Sequence, residues 1–221
     1  MFRKPVKAAL FDMDGLLIDS EAVYIVAMQA AARHFKREMT LDFCHSMVGI
    51  PRVECNVMLQ ELYGEGFDLE EFRGVYSANV QEAMAERVPV KAGVVEVLAL
   101  LAERGIPCGV ATSALRDVAE SHLGRAGLRK HFATLVARDD VERAKPFPDI
   151  YLEAARRLDV PPGNCLAFED SNPGLTAAHA AGTMAIMVPD LLQPTDEVRA
   201  KCLYIAPDMA SVERLLREHL R

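Results

Sequence analysis

The sequence predicts an α/β protein: a Rossmann-like parallel sheet core with helices on both faces, interrupted by an inserted α-helical domain. Three observations predict it. From residue 89 onward, short apolar runs of strand type alternate with helical patterns of about ten residues, the rhythm of βαβ units. The first such run, Val6 to Phe11, is nearly apolar throughout, as expected of a strand buried on both faces. Between residues 20 and 88, helical patterns dominate and no buried strand stands out. The expected organisation is a core of residues 1–19 and 89–221 and a helical insert of residues 20–88.

Taken in order, Val6–Phe11 is the first strand, ending on Asp12-Met13-Asp14-Gly15. Ser20 reads as the N-cap of a helix reaching about His34, with Glu21 in its first turn. Helical patterns follow over Leu41–Met47, Val53–Tyr63 and Leu69–Glu86, broken by Gly49-Ile50-Pro51 and Gly64-Glu65-Gly66. A helix from Gly93 to Arg104 is stopped by Gly105. Pro107–Thr112 is a strand, Ser113–Ala126 a helix, Phe132–Ala137 strand-like and Pro148–Leu158 helical, with proline in a first turn where it is tolerated. Cys165–Phe168 is a strand ending on Glu169-Asp170. Asn172 and Pro173 start a helix closed by Gly182, and Met184–Val188 is the next strand, its methionines read as core filling. Leu203–Ile205 reads as a short edge strand and Met209–Leu220 as the closing helix.

Composition narrows the function classes. A formal net charge of −7 argues against a nucleic-acid surface or a polybasic membrane patch. The five scattered cysteines contain no CxxC pair, which suits reduced thiols in a cytoplasmic protein better than a disulfide framework. The opening residues show no secretory pattern, and no apolar run approaches the ~18 residues of a membrane span.

In open parallel sheets, ligands bind outside the carboxyl ends of the strands. The residues there are Asp12 and Asp14, then Thr112-Ser113, then Glu169-Asp170, with Lys145 in the loop beyond the third strand. Positions i and i+2 of a strand point the same way, so Asp12 and Asp14 can face one spot, where they repel unless a cation intervenes or one is protonated. Alone, that pair reads equally well as a turn. The whole set suits phosphoryl transfer. Acidic oxygens suit Mg²⁺, a hydroxyl, backbone N–H groups and an ammonium can hold phosphoryl oxygens, and one Asp can attack phosphorus while the other moves the proton. The six histidines are scattered, and none sits at a strand end.

These residues carry a resemblance. Phe11-Asp12-Met13-Asp14-Gly15-Leu16-Leu17-Ile18-Asp19-Ser20-Glu21, Ala111-Thr112-Ser113, Lys145-Pro146 and Phe168-Glu169-Asp170-Ser171 resemble the four motifs of the haloacid dehalogenase superfamily. The subgroup resembled is the β-phosphoglucomutase-like phosphatases, whose helical cap follows the first strand. The resemblance implies Asp12 as nucleophile and Asp14 as general acid/base. It implies Thr112 and Lys145 as phosphoryl holders, with Ser113 adding a backbone N–H or serving as a helix cap. Asp12, the Asp14 backbone carbonyl and Asp170 would bind Mg²⁺, supported by Glu169. Gly49-Ile50-Pro51-Arg52 resembles the family's cap loop, so Arg52 would meet the substrate, its plainer reading being a solvated helix start. Ser20 matches a hinge position. The subgroup's mutases use a cap lysine, and the comparable stretch from Arg73 to Arg87 has none, which favours hydrolysis. Asp139-Asp140 reads as a solvated turn, although the family often carries Asp there.

The expectation is therefore a Mg²⁺-dependent, monomeric, cytoplasmic phosphatase of a small phosphorylated metabolite, foremost a sugar phosphate. It would act through an aspartyl-phosphate. A sugar phosphomutase is the nearest rival, and a non-catalytic metabolite-binding protein is the rival of another class.

Overall fold

The structure, a computed structural model, describes residues 2–48, 50 and 52–220. It divides into two compact units, Met1–Asp19 with Pro89–Arg221 and Ser20–Val88. The larger unit carries six parallel strands: β1 (Ala8–Phe11), β2 (Cys108–Ala111), β3 (Thr134–Val136), β4 (Cys165–Glu169), β5 (Met184–Met187) and β6 (Tyr204–Ile205). Their order is β3-β2-β1-β4-β5-β6. The chain leaves β1 toward β2 on one side and returns to β4 on the other. That reversal of strand order leaves a crevice beyond the carboxyl ends of β1, β2 and β4. Register sets what meets there. Phe11 pairs with Phe168 and with Val110, so Asp12 emerges beside Glu169.

Both sheet faces are buried. Ala8, Leu10, Ala111, Val136, Ala167 and Ala185 form one apolar layer with Ile150, Ala154 and Leu175. These last lie on the helices expected between the strands, here α7 (Asp149–Arg157) and α8 (Asn172–Ala180). The alternate strand residues Ala9, Phe11, Val110, Leu166, Phe168 and Ile186 are equally buried. Phe11 stacks on Phe168 at a centroid distance of 4.8 Å. This two-sided burial explains why β1 reads as continuously apolar.

The smaller unit is helical: α1 (Ser20–His34), α2 (Leu41–Ser46), α3 (Arg52–Tyr63) and α4 (Leu69–Glu86). Its own core joins Ala31, Met39, Leu59 and Phe72, bordered by Phe35, Tyr63 and Phe67. The bounds agree with the periodicity apart from helix ends. Ser20 is the first helical residue of α1 rather than its cap, and its hydroxyl is buried without a hydrogen-bond partner among the described residues. The other helices are α5 (Val94–Glu103), α6 (Arg116–Arg125), α9 (Asp196–Arg199) and α10 (Met209–His219). The four-residue α9, with Thr195 as its cap, is too short to show a period in the sequence. All five cysteines are free thiols. No helix among the described residues is long and apolar enough to cross a membrane.

Candidate active site

Asp12 follows directly on β1, and its N–H donates to the Phe168 carbonyl at 3.0 Å. Only 6 % of the residue is exposed. Lys145, in the loop before α7, places Nζ against Asp12 Oδ1 and 2.6 Å from Glu169 Oε1. The peptide bond from Lys145 to Pro146 is cis. Burial pushes the Asp12 carboxyl up to about 7, against the pull of Lys145 and with the help of Glu169 and Asp14. Burial alone would lower Lys145, but Asp12 and Glu169 outweigh it and hold the ammonium above its ordinary value.

Glu169, the last residue of β4, is wholly buried, and its oxygens meet four donors. Oε1 accepts from Lys145 and from Tyr151 Oη, each at 2.6 Å. Oε2 accepts from Ser171 Oγ at 3.1 Å and Ser171 N at 3.3 Å. A carboxylate has about four lone-pair directions, so this one is filled by protein. Gly174 makes room for it: a Cβ there would overlap the Glu169 carboxylate.

Asp170 completes a trio. One oxygen each of Asp12, Glu169 and Asp170 lie within 4.8 Å of one another. Burial, then Asp12 and Glu169, raise Asp170 well above the ordinary carboxylate range. Gly15, at φ +81°, lies against it, and a Cβ there would overlap Asp170 Oδ2. The site therefore fits a hard divalent cation by its own chemistry. The donors are oxygens that crowd together, and the upward shifts of Asp12 and Asp170 are what a cation between them would relieve.

Asp14 is half-buried and lies in the turn Asp14–Ile18, where Gly15 N donates to Ile18 O at 2.9 Å. Its carboxylate stands outside the trio, so the backbone carbonyl is the donor that the cation expectation assigns to this residue. Thr112, past β2, is buried, and its Oγ1 accepts from Ala114 N at 3.1 Å. Ser113 is exposed and does not cap α6, which starts three residues later with Leu115 at the cap position. Asp139 Oδ1 instead accepts the Arg116 N–H at 3.0 Å. Asp140 is no solvated turn either: it pairs with Arg116, takes Arg157 at 3.2 Å and accepts Ala137 N at 2.8 Å. Arg52 is the exposed first residue of α3, and it acts after burial to lower Arg73 in the same unit. Gly49 and Pro51 of the expected loop lie outside the described residues.

Tyr151 was missed by sequence reasoning. It lies on the buried face of α7 with Ile150, Ala154 and Ala155. A tyrosine on such a face needs a partner for its hydroxyl, and that was the available signal.

The fold is that of an α/β protein with a parallel, Rossmann-like sheet, and the comparisons with known proteins give its family. The chain belongs to the haloacid dehalogenase-like hydrolases, whose family model matches residues 9–188. It is 33% identical over 177 residues to a phosphorylated carbohydrates phosphatase of Thermotoga maritima, covering 80% of this chain and 82% of that protein. It is 32% identical over 193 residues to a probable pseudouridine-5′-phosphatase of Drosophila melanogaster, covering 85% and 83%. Among solved structures, a candidate β-phosphoglucomutase from Thermotoga maritima superposes with a TM-score of 0.85 at 30% identity, covering 97% of this chain and all of that one. The chain is a phosphoric monoester hydrolase of this family.

Proposed function

We propose that the chain hydrolyses a small phosphorylated metabolite, foremost a sugar phosphate, through an aspartyl-phosphate on Asp12. The observation that carries this is the Asp12–Lys145–Glu169 arrangement beside Asp170. Asp12 attacks phosphorus through the carboxylate oxygen that Lys145 does not hold. Lys145, kept cationic by Asp12 and Glu169, offers positive charge to the phosphoryl oxygens as negative charge builds there. Thr112 contributes its hydroxyl hydrogen, since its oxygen already accepts from Ala114. Asp14 protonates the leaving alkoxide and then takes a proton from the water that releases phosphate. Ser113 adds a backbone N–H.

Asp12, the Asp14 carbonyl and Asp170 would hold Mg²⁺, which supplies charge neutralisation for the carboxylates and the phosphoryl group. Glu169, its oxygens already filled, supports Lys145. Substrate choice falls to the helical unit, with Arg52 the residue that meets the substrate. The groups named come from one chain, which is consistent with a monomer. The lack of lysine between Arg73 and Arg87 favours hydrolysis over mutase chemistry. The joint presence of nucleophile and acid favours an enzyme over a binding module.

Phosphate release is measured across a panel of phosphorylated sugars and nucleoside monophosphates, with Mg²⁺ and with chelator. Release that needs Mg²⁺ and vanishes in Asp12→Asn is expected. Undiminished release by that variant overturns the mechanism.

A further inference from the structure

One buried polar atom near Asp170 of the carboxylate trio lacks a hydrogen-bond partner among the described residues. Asp190 lies in the loop after β5. Its Oδ1 accepts from Lys91 Nζ at 2.5 Å, and Lys91 also reaches Asp19 Oδ1 at 3.3 Å. The Lys91 backbone N–H donates to Leu17 O at 3.1 Å, so the main chain of Lys91 is tied to the segment that follows Asp14, and its ammonium meets the same segment at Asp19. The second oxygen, Asp190 Oδ2, is buried and has no hydrogen-bond partner among the described residues.

Gly15 shows where that oxygen points. A Cβ on Gly15 would overlap Asp170 Oδ2 and stand 3.4 Å from Asp190 Oδ2. The two carboxylates therefore converge on one side of Gly15, and Asp170 belongs to the trio. A buried carboxyl oxygen calls for a hydrogen-bond partner. Asp170 is itself an acceptor, and Lys91 is bound to the other oxygen. Water brings donors into a space lined by carboxylates, and Mg²⁺ typically keeps several waters.

We infer that Asp190 is a further residue of the cation site, its Oδ2 accepting a hydrogen bond from a water carried by the cation held at Asp12 and Asp170, with Lys91 fixing its orientation. Asp190 is then a positioning residue, and the inference rests on the metal reading proposed above. Partners that orient ligands and waters around a metal commonly change its affinity 10- to 100-fold.

The test is Mg²⁺ titration by isothermal calorimetry into metal-free wild type, Asp190→Asn and Asp190→Ala, each checked for folding by circular dichroism. Asparagine keeps an oxygen for Lys91 but can present an NH₂ where Oδ2 accepts. Alanine removes both oxygens and leaves space for water. The expected result is a Kd raised about tenfold or more in both folded variants. Wild-type affinity in the variants overturns the inference alone. A wild-type chain that binds no Mg²⁺ overturns the metal reading and the inference with it.

Discussion

Tyr151 and Lys145 converge on a single oxygen: both donate to Glu169 Oε1, each over 2.6 Å. The Lys145 ammonium also lies 5.3 Å from the centre of the Tyr151 ring. One buried carboxylate thus orients the lysine and is itself oriented by a phenol. Burial, then Glu169 and Asp12, push the Tyr151 hydroxyl well above its ordinary range, so it remains a donor.

Tyr151→Phe removes that donor without changing the shape of the ring. The buried acceptor then loses one of its partners, at a cost of about 1–3 kcal/mol. Urea denaturation of the metal-free protein should show that loss. Phosphate release should fall while the far-UV spectrum is kept. Unchanged stability and turnover together would show that the Tyr151–Glu169 bond is idle.

Gly174→Ala places a methyl group on the Glu169 carboxylate. The collision is with a wholly buried group that is already bound on both oxygens. The expected cost is about 1–3 kcal/mol from overpacking, with a loss of phosphate release as Glu169 moves off Lys145. Denaturant midpoints and initial rates check both. Gly124→Ala, where an added Cβ meets nothing within 4 Å, is the control and should leave both close to wild type.

Asp12→Asn removes the nucleophile and keeps the volume. Turnover should fall by about four orders of magnitude or more, as in other enzymes stripped of a nucleophile. The fold should persist, because a neutral group suits a site where burial already raises the carboxyl to about 7. Single-turnover phosphate release at saturating Mg²⁺ measures the loss.

Asp140 makes stability depend on pH. Burial would raise its carboxyl, but the Ala137 N–H, Arg157 and Arg116 outweigh burial and hold it below the ordinary 3.8. A depressed folded value means stability that is present above the unfolded value and lost as pH falls through the folded one. Asp140→Asn should therefore cost on the order of 1–3 kcal/mol at pH 7. The gap to wild type should narrow as pH drops below 4. Denaturation curves at pH 7, 5 and 3 test it, and a gap constant with pH counts against the ion pairs.

The strand-end residues were legible in the sequence because chemistry and connectivity coincide there. Asp12, Thr112, Lys145 and Glu169 each stand just past an apolar run or in the loop beyond it, and a parallel sheet gathers such positions at one edge. The helical stretch of residues 20–88 was legible for a similar reason, since local periodicity needs no knowledge of partners.

The tertiary structure decided the pairings. That Asp140 is ion-paired rather than solvated depends on Arg116 and Arg157 arriving from separate helices. That α6 begins at Arg116 rather than Ser113 follows from Asp139 capping it from a distant loop. That Glu169 is filled by Lys145, Tyr151 and Ser171, while Asp190 is left with an oxygen unmatched among the described residues, depends on side chains from different elements converging on one edge of the sheet. The sequence by itself determined which residues stand at that edge, because strand period and loop position are local. Only the tertiary structure determined which atoms share a proton, because that depends on distances between elements far apart in the chain.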